Sequence, residues 1–265
     1  MRQLVLPGDV GDSSILDLDR KTSHYLSRVL RMSPGDEFDG IDGKGNRFHC
    51  ALSGSHDGIV RISLAPAKQS IAILESRAPE SPRLALIQAL PKAQKMDLIV
   101  RQAAEMGVEA IVPLETKHCV SREFSDADKK AKRERRIKIV KEAEQQSGSG
   151  VHTKVLPTAS LETLGKVLKE IGFPPTESLY LLCHEMEQTG APDLHGYLAP
   201  RFGGVAILVG PEGGFAPDET IFFMNMGFKP VHFAGTILRT ETAAAYALAA
   251  VRTILMERNS WNPSK

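Results

Sequence analysis

Two short stretches of the chain carry residue types that could do chemistry. In VAILVGPEGGFAPDE, Val205 to Glu219, an apolar run meets Gly210-Pro211-Glu212-Gly213-Gly214, a turn whose one charged side chain is a carboxylate. Glycines at 210, 213 and 214 let the backbone approach a ligand closely and offer its N–H and C=O groups to a flat heterocycle or a ribose. A phosphate cradle needs Gly-Lys-Ser/Thr after its glycines, but Phe215-Ala216-Pro217 follows here, and a Rossmann fingerprint is missing too. With Glu212 in place of a lysine, the turn favours a ligand that is neutral at its recognised end, or cationic. The alternative is a tight connection bearing a solvated glutamate. The second stretch is Leu238-Arg239-Thr240-Glu241-Thr242-Ala243. Thr240 or Thr242 can cap a following helix, with Glu241 in its first turn. Capping leaves Arg239 unexplained: a guanidinium ahead of an almost charge-free helix pairs with a carboxylate or awaits an anionic group.

The elements that must position these stretches begin at Arg83, where RLALIQAL, KMDLIVRQAAEMGV and AIVPLET read as strand, helix and strand of a parallel α/β sheet. Three further apolar strands, in SLYLLCHE, VAILVGPEGG and PVHFAG, each stop at a turn. Parallel strands present their carboxyl ends to one crevice, where open α/β sheets bind ligands. Leu182, Cys183 and His184, at the first of these ends, are therefore grouped with Gly210 to Gly214 and with Leu238, Thr240, Thr242 and Ala243 as candidate ligand-binding residues. The last helix, TETAAAYALAAVRTILMERN, is apolar over most of its circumference and is expected to be buried against the sheet or a second subunit. An earlier one, SDADKKAKRERRIKIVKEAEQQSG, has Asp126 and Asp128 near its start and a dense Lys/Arg run, a solvated face or a contact for a polyanion.

Ahead of this region the grammar is different. Residues 1 to about 65 read as short strands of a small β-barrel, with GDEFDGIDGKGNRFHCALSG forming a hairpin that GIVRISLA follows. One helix interrupts them, TSHYLSRVLRM, capped by Thr22 or Ser23, with Leu26, Val29 and Leu30 as an inward stripe. His24, Arg28 and Arg31 recur at spacings of four and three on the opposite, exposed side. Ala65 to Pro82 carries three prolines and reads as a linker, although SIAIL within it could be a last strand of the barrel.

The 265 residues, 42% of them hydrophobic, can fill the core of one large domain or two unequal ones. A formal charge of +1 excludes a uniformly basic nucleic-acid-binding shell but not a local patch. The three cysteines Cys50, Cys119 and Cys183 lie far apart, which suits a reducing cytoplasm. Each has a histidine beside it (His49, His118, His184) but none of the spacings of zinc sites, so no metal is expected. The start lacks a secretory apolar segment and no run is apolar enough to span a bilayer, so the chain is read as neither secreted nor membrane-spanning.

LVGPEGGFAPDE together with ILRTETAAAYAL resembles the bacterial ribosomal RNA small-subunit (16S) uridine-N3 methyltransferases of the SPOUT superfamily. The resemblance covers nearly the whole chain. HYLSRVLRMSPGDEFDGIDGKG is similar to the family's PUA-like domain, and LPKAQKMDLIVRQAAEMGVEAIVPL to the opening of its methyltransferase domain. It implies a PUA-like RNA-binding β-barrel over residues 1–72 and a SPOUT domain over 73–265. The latter would carry a deep trefoil knot whose loops bind S-adenosylmethionine and through which the protein forms a homodimer. The glycine turn would then wrap the adenosine of the methyl donor. Two positions depart from the family: Gln102 stands where a lysine is expected, and Gln145-Gln146-Ser147-Gly148-Ser149 lacks the expected arginine.

The implied reaction removes the imino proton of an unpaired or flipped uridine, because N3 faces the partner base in a duplex. Arg239, or a basic residue brought by the partner subunit, would stabilise the charge that spreads to O2 and O4, while Glu212 or Glu241 would act as the base or hold Arg239. No metal is required. RNA would be held by His24, Arg28 and Arg31, with Arg2, Lys92, Lys95 and Arg122 as further candidates. The expected partner is 16S ribosomal RNA, free or within the small subunit. The competing readings are a non-catalytic ribosome-assembly protein that binds RNA, and a methyltransferase for a different RNA such as tRNA.

Overall fold

The computed structural model describes residues 3–6, 10, 13–42, 46–66, 82–121, 125–147, 149, 151–184, 190, 192–233 and 236–257. The chain divides into two compact units, Met1–Ser76 with Glu144–His152, and Arg77–Ala143 with Thr153–Lys265. The linker expected over Ala65–Pro82, with its boundary after residue 72, lies mostly outside the described residues.

In the first unit, β1 (Gln3–Val5) and β2 (Ile15–Asp17) precede a short helix α1 (Arg20–His24), and β3 (Glu37–Ile41), β4 (Arg47–His56) and β5 (Ile59–Pro66) follow it. The strands lie in the order β1-β3-β4-β5-β2, with β1 parallel to β3 and every other pair antiparallel. Alternation along β4 sends Phe48, Cys50 and Leu52 into a core that Leu4, Leu6, Leu18, Leu26, Phe38 and Ile62 complete. The hairpin between β3 and β4 is present as predicted, and no pairing closes β1 onto β2 among the described residues.

The helix departs from expectation in two ways. Asp19 caps it, its carboxylate accepting from the Thr22 N–H at 2.9 Å and the Thr22 hydroxyl at 2.8 Å, where Thr22 or Ser23 was the predicted cap. The Ser23 hydroxyl is used elsewhere, donating to the Leu18 carbonyl at 3.2 Å and accepting from the Val60 N–H at 2.9 Å, which ties the helix to β5. After His24 the winding widens to a π-helix over Tyr25–Val29, with the Leu30 N–H on the Tyr25 carbonyl at 2.9 Å. The predicted stripe assumed three to four residues per turn. The wider turn keeps Leu26 buried but leaves Leu30 half-buried and Val29 60% exposed.

The second unit is a six-stranded, wholly parallel sheet. Its elements in chain order are β6 (Arg83–Ala89), α2 (Lys95–Glu105), β7 (Ala110–Leu114), α3 (Asp126–Ser147), β8 (Lys154–Val155), α4 (Leu161–Glu170), β9 (Ser178–Cys183), α5 (Leu194–Leu198), β10 (Gly204–Val209), α6 (Pro217–Asn225), β11 (Lys229–Val231) and α7 (Thr240–Glu257). The strand order is β11-β9-β10-β6-β7-β8, so the chain fills one flank from β6 outward and then returns to build the other. Both faces are covered, which is why these strands read as unbroken apolar runs. Leu84, Leu86, Val205 and Ile207 face the core shared with α2, α3, α5 and α7. Their neighbours Ala85, Ile87, Ala206 and Leu208 face the core shared with α4 and α6. The expected burial of α7 holds for one face: Ala244, Ala247, Leu248, Val251 and Leu255 are buried, whereas Thr242, Tyr246, Ala249, Thr253 and Met256 are exposed.

Candidate functional site

The carboxyl ends of β9, β10 and β11 converge on a cavity of about 380 Å³, within the size range of small-molecule sites. Cys183 and His184 line it after β9, Val209 to Phe215 after β10, and His232, Phe233 and Thr236 to Thr240 after β11, with Ala243 from α7. The glycine turn and the Leu238 to Ala243 stretch thus line one pocket.

Backbone angle calls for glycine at one position of the turn, and space is tight at two others. Gly214 has φ +64°, the left-handed region, and its N–H closes the turn onto the Pro211 carbonyl at 3.0 Å. A Cβ on Gly213 would stand 3.2 Å from Cβ of His118, and one on Gly210 would stand 3.2 Å from the Phe215 ring. The loop after β7 braces the turn from outside. The His118 Nδ1 is 2.9 Å from the Gly213 carbonyl, and the buried Glu219 carboxylate accepts from the Lys117 N–H at 2.8 Å and the Ala216 N–H at 2.9 Å. Lys117 also pairs with Asp218.

The carboxylates are placed differently from the sequence-based expectation, in which Glu212 or Glu241 served as base or held Arg239. Both lie against Lys95, whose ammonium is 2.8 Å from Glu212 Oε1 and 3.2 Å from Glu241 Oε2. The Lys92 N–H adds 3.2 Å contacts to both oxygens of Glu212. Burial disfavours the Glu212 charge, yet the Lys95 ammonium and the backbone N–H groups outweigh it and hold the carboxyl below its ordinary pKa. Lys95 in turn is held above its usual pKa, chiefly by its hydrogen bond to Glu212. Lys95, expected to contact RNA, is therefore engaged within the site, while the Lys92 side chain is exposed. Arg239 is exposed on the cavity wall and has no ion-pair partner among the described residues.

Thr240 acts across the pocket rather than along its own helix. Its hydroxyl donates to the Gly210 carbonyl at 2.6 Å and accepts from the Gln88 amide at 3.0 Å. Gln88 is fully buried at the end of β6 and also donates to the Ala89 carbonyl at 2.9 Å. A hydrogen-bonded chain thus joins the central strand, the glycine turn and the start of α7.

Other expected site residues fall outside the cavity lining. Leu182 points into the core beneath the sheet with Ala206 and Leu208, because the side chain before Cys183 must face the other way. Thr242 is exposed on α7. Burial pushes the Cys183 thiol up to about 12, so it is a protonated wall and not a nucleophile. His24, Arg28 and Arg31 are all exposed on the first unit, as expected. Arg2 and Arg122 lie outside the described residues. Gln102 is half-buried on α2 with its Oε1 enclosed, and Ser149 turns its hydroxyl onto the Val151 N–H at 3.2 Å. Among the described residues no cluster of side chains could hold a metal ion, and no helix is long and apolar enough to cross a membrane.

The sequence alone assigns no role in the site to Gln88, Lys117, His118 or Glu219. Only Gln88 carries a local signal, a lone amide at the end of an otherwise apolar strand.

Comparison with known proteins places these features in context. The RNA methyltransferase domain family matches residues 79–252, and the RNA methyltransferase PUA domain family matches residues 18–64. A protein of Synechocystis named ribosomal RNA small subunit methyltransferase E is 30% identical over 256 residues, covering 96% of this chain and 78% of its own length. The protein of that name from Bacillus subtilis is 26% identical, covering 86% of each chain. The crystal structure of ribosomal RNA small subunit methyltransferase E from Neisseria gonorrhoeae bound to S-adenosyl methionine is similar with a TM-score of 0.78 at 27% identity. It aligns over 96% of this chain and 98% of that one.

Proposed function

The chain belongs to the RNA methyltransferase family, and we propose that it transfers the methyl group of S-adenosylmethionine to N3 of a uridine in 16S ribosomal RNA. One observation carries the proposal: the glycine turn and the Thr236 to Thr240 loop wall a single cavity at the strand ends, with the Arg239 guanidinium exposed beside it.

The residues present suit that donor. Gly210, Gly213 and Gly214 open the backbone to a nucleoside, and Phe233 and Leu238 give the cavity apolar wall. The nearby cation Lys95 is already taken by two carboxylates, so it is not arranged to receive a polyphosphate. S-adenosylmethionine, when bound, supplies an activated methyl group together with its own leaving group.

The protein then has to bind, align and exclude water. The turn from Gly210 to Gly214 fixes the position of the donor, and Lys95 and Thr240 fix the turn. Arg239 faces the acceptor. Release of the N3 proton to solvent as the uridine docks leaves negative charge on O2 and O4 of the uracil, and a preplaced guanidinium stabilises that charge without having to reorganise. Glu212 serves as a brace, since a carboxylate stabilised by Lys95 has a weakened affinity for a proton.

The same reading includes a deep trefoil knot of the SPOUT type around the cavity, a PUA-like barrel over residues 1–72 and a catalytic domain over 73–265. It also includes a homodimer through the exposed Tyr246, Ala249, Thr253 and Met256 side of α7, and action in the cytoplasm. In the first unit, His24, Arg28 and Arg31 supply cations toward the RNA. Titration calorimetry with S-adenosylmethionine tests the donor site, and mass spectrometry of ribosomal RNA from cells lacking the protein tests the target. A missing methyl on one 16S uridine is the expected result. Tight RNA binding with no donor binding would instead identify a non-catalytic RNA-binding protein.

A further inference from the structure

Residues 20–32, RKTSHYLSRVLRM, contain four Lys or Arg side chains and one histidine but no acid. Two backbone irregularities fall within this segment. The π-helix at Tyr25–Val29 widens the turn, and Arg31 directly after it sits in the left-handed region at φ +53°. Arg31 is the left-handed residue that ends the helix, with the Met32 N–H closing onto the Leu26 carbonyl at 3.0 Å, a position usually given to glycine. Their joint effect is on what the surface shows. With Leu26 buried, an α-helix would turn Val29 and Leu30 toward the same core face. Here Val29 is instead 60% exposed, and Arg28 and Arg31 beside it in sequence are exposed without ion-pair partners among the described residues. His24, at the end of the preceding α-helical turn, is exposed as well. An apolar side chain framed by cations is a mismatched surface for water.

We propose that this wide turn is a docking site for an unpaired nucleotide of RNA, with Arg28 and Arg31 holding phosphates on either side and the face of the base resting on Val29. The inference rests on the proposed RNA substrate and deepens it by assigning separate tasks to charge and to apolar contact. Single-stranded nucleic acid is the ligand that fits both: phosphate charge answers the guanidiniums, and every base offers an apolar face. A paired duplex offers only the first, because its bases are stacked on one another.

The two tasks respond differently to salt. Each phosphate contact contributes roughly 0.7 to the slope of log affinity against log salt for a single strand, whereas an apolar contact contributes none. The test uses the full-length protein, a short single-stranded RNA of mixed sequence, and the same RNA annealed to its complement, followed by fluorescence anisotropy over a salt series. Arg28→Ala and Arg31→Gly are expected each to weaken binding and to flatten the slope by roughly 0.7. Arg31→Gly also removes the left-handed strain, so its melting temperature is expected to rise while its RNA affinity falls, which separates lost contact from lost fold. Val29→Ser is expected to weaken single-strand binding and Val29→Phe to strengthen it about threefold, both with the parent slope. Duplex binding is expected to follow the arginine variants alone. Parent slopes in both arginine variants, or a Val29 series with no effect on the single strand, would overturn the proposal. Donor binding, measured in parallel by calorimetry, keeps the two readings apart: its absence alongside the expected RNA results counts against the methyltransferase assignment and leaves this docking site standing.

Discussion

Lys95 Nζ lies 2.8 Å from Oε1 of Glu212, so the one carboxylate of the glycine turn is held by a cation from the first turn of α2. The turn is thereby fastened to an element outside its own strand and helix. Glu241 shares the same ammonium at 3.2 Å, which brings the opening turn of α7 into the same clamp. Removing the cation leaves two carboxylates facing one another across a half-buried space.

Lys95→Met is therefore expected to raise the Kd for S-adenosylmethionine about threefold, with the salt dependence of RNA binding unchanged. Lys95→Arg is expected to restore most of the affinity. Calorimetry with the donor and anisotropy with RNA check both halves, and a flattened RNA salt slope would instead make Lys95 a phosphate contact.

The clamp also depends on pH. The Glu212 carboxyl is held below its ordinary value of 4.5, so its contribution is fully present above that value and is lost as pH falls through the lower folded-state value. Donor affinity is expected to weaken as pH is lowered from about 7 to about 3, with the loss falling below the ordinary glutamate range. Glu212→Gln is expected to start weaker at neutral pH and to lack this component of the decline.

Thr240→Val keeps the shape of the side chain but deletes the hydroxyl between Gly210 and Gln88. The buried amide and carbonyl then lose a partner, which costs about 1–3 kcal/mol. Urea unfolding is expected to show that loss, and Thr240→Ser to recover most of it.

Gly214→Ala places a side chain at φ +64°, a strain of about 1–2 kcal/mol. Its donor affinity is expected to drop by more than that of Gly227→Ala, a second positive-φ position that does not line the cavity. Equal donor affinity in the two variants would separate the turn from the ligand.

The strands of the second unit were readable because each is buried on both faces and ends at a turn, leaving apolar runs with sharp limits. The position of Gly210 to Gly214 at a strand end followed from the same pattern. What could not be read is what depends on the third dimension. Nothing near Glu212 in sequence announces Lys95, and nothing near Gly213 announces His118. Helical spacing places Val29 inward because it presumes ordinary winding, and the π turn breaks that premise after His24. Proximity along the chain groups Leu182 with Cys183, while strand alternation separates them onto opposite faces. Capping logic gives Thr240 a partner within its own helix, whereas its hydroxyl bonds the Gly210 carbonyl and the Gln88 amide.

On the proposed function, the strand-end cavity holds the methyl donor with Arg239 beside the acceptor base. The most direct measurement is methyl transfer from labelled S-adenosylmethionine to 16S ribosomal RNA, with donor binding measured on the same samples, for the parent and for Arg239→Ala. Arg239→Ala is expected to bind the donor with parent affinity and to transfer the methyl group about 100- to 1,000-fold more slowly. Parent-like transfer by that variant, or no donor binding by the parent protein, would contradict this reading.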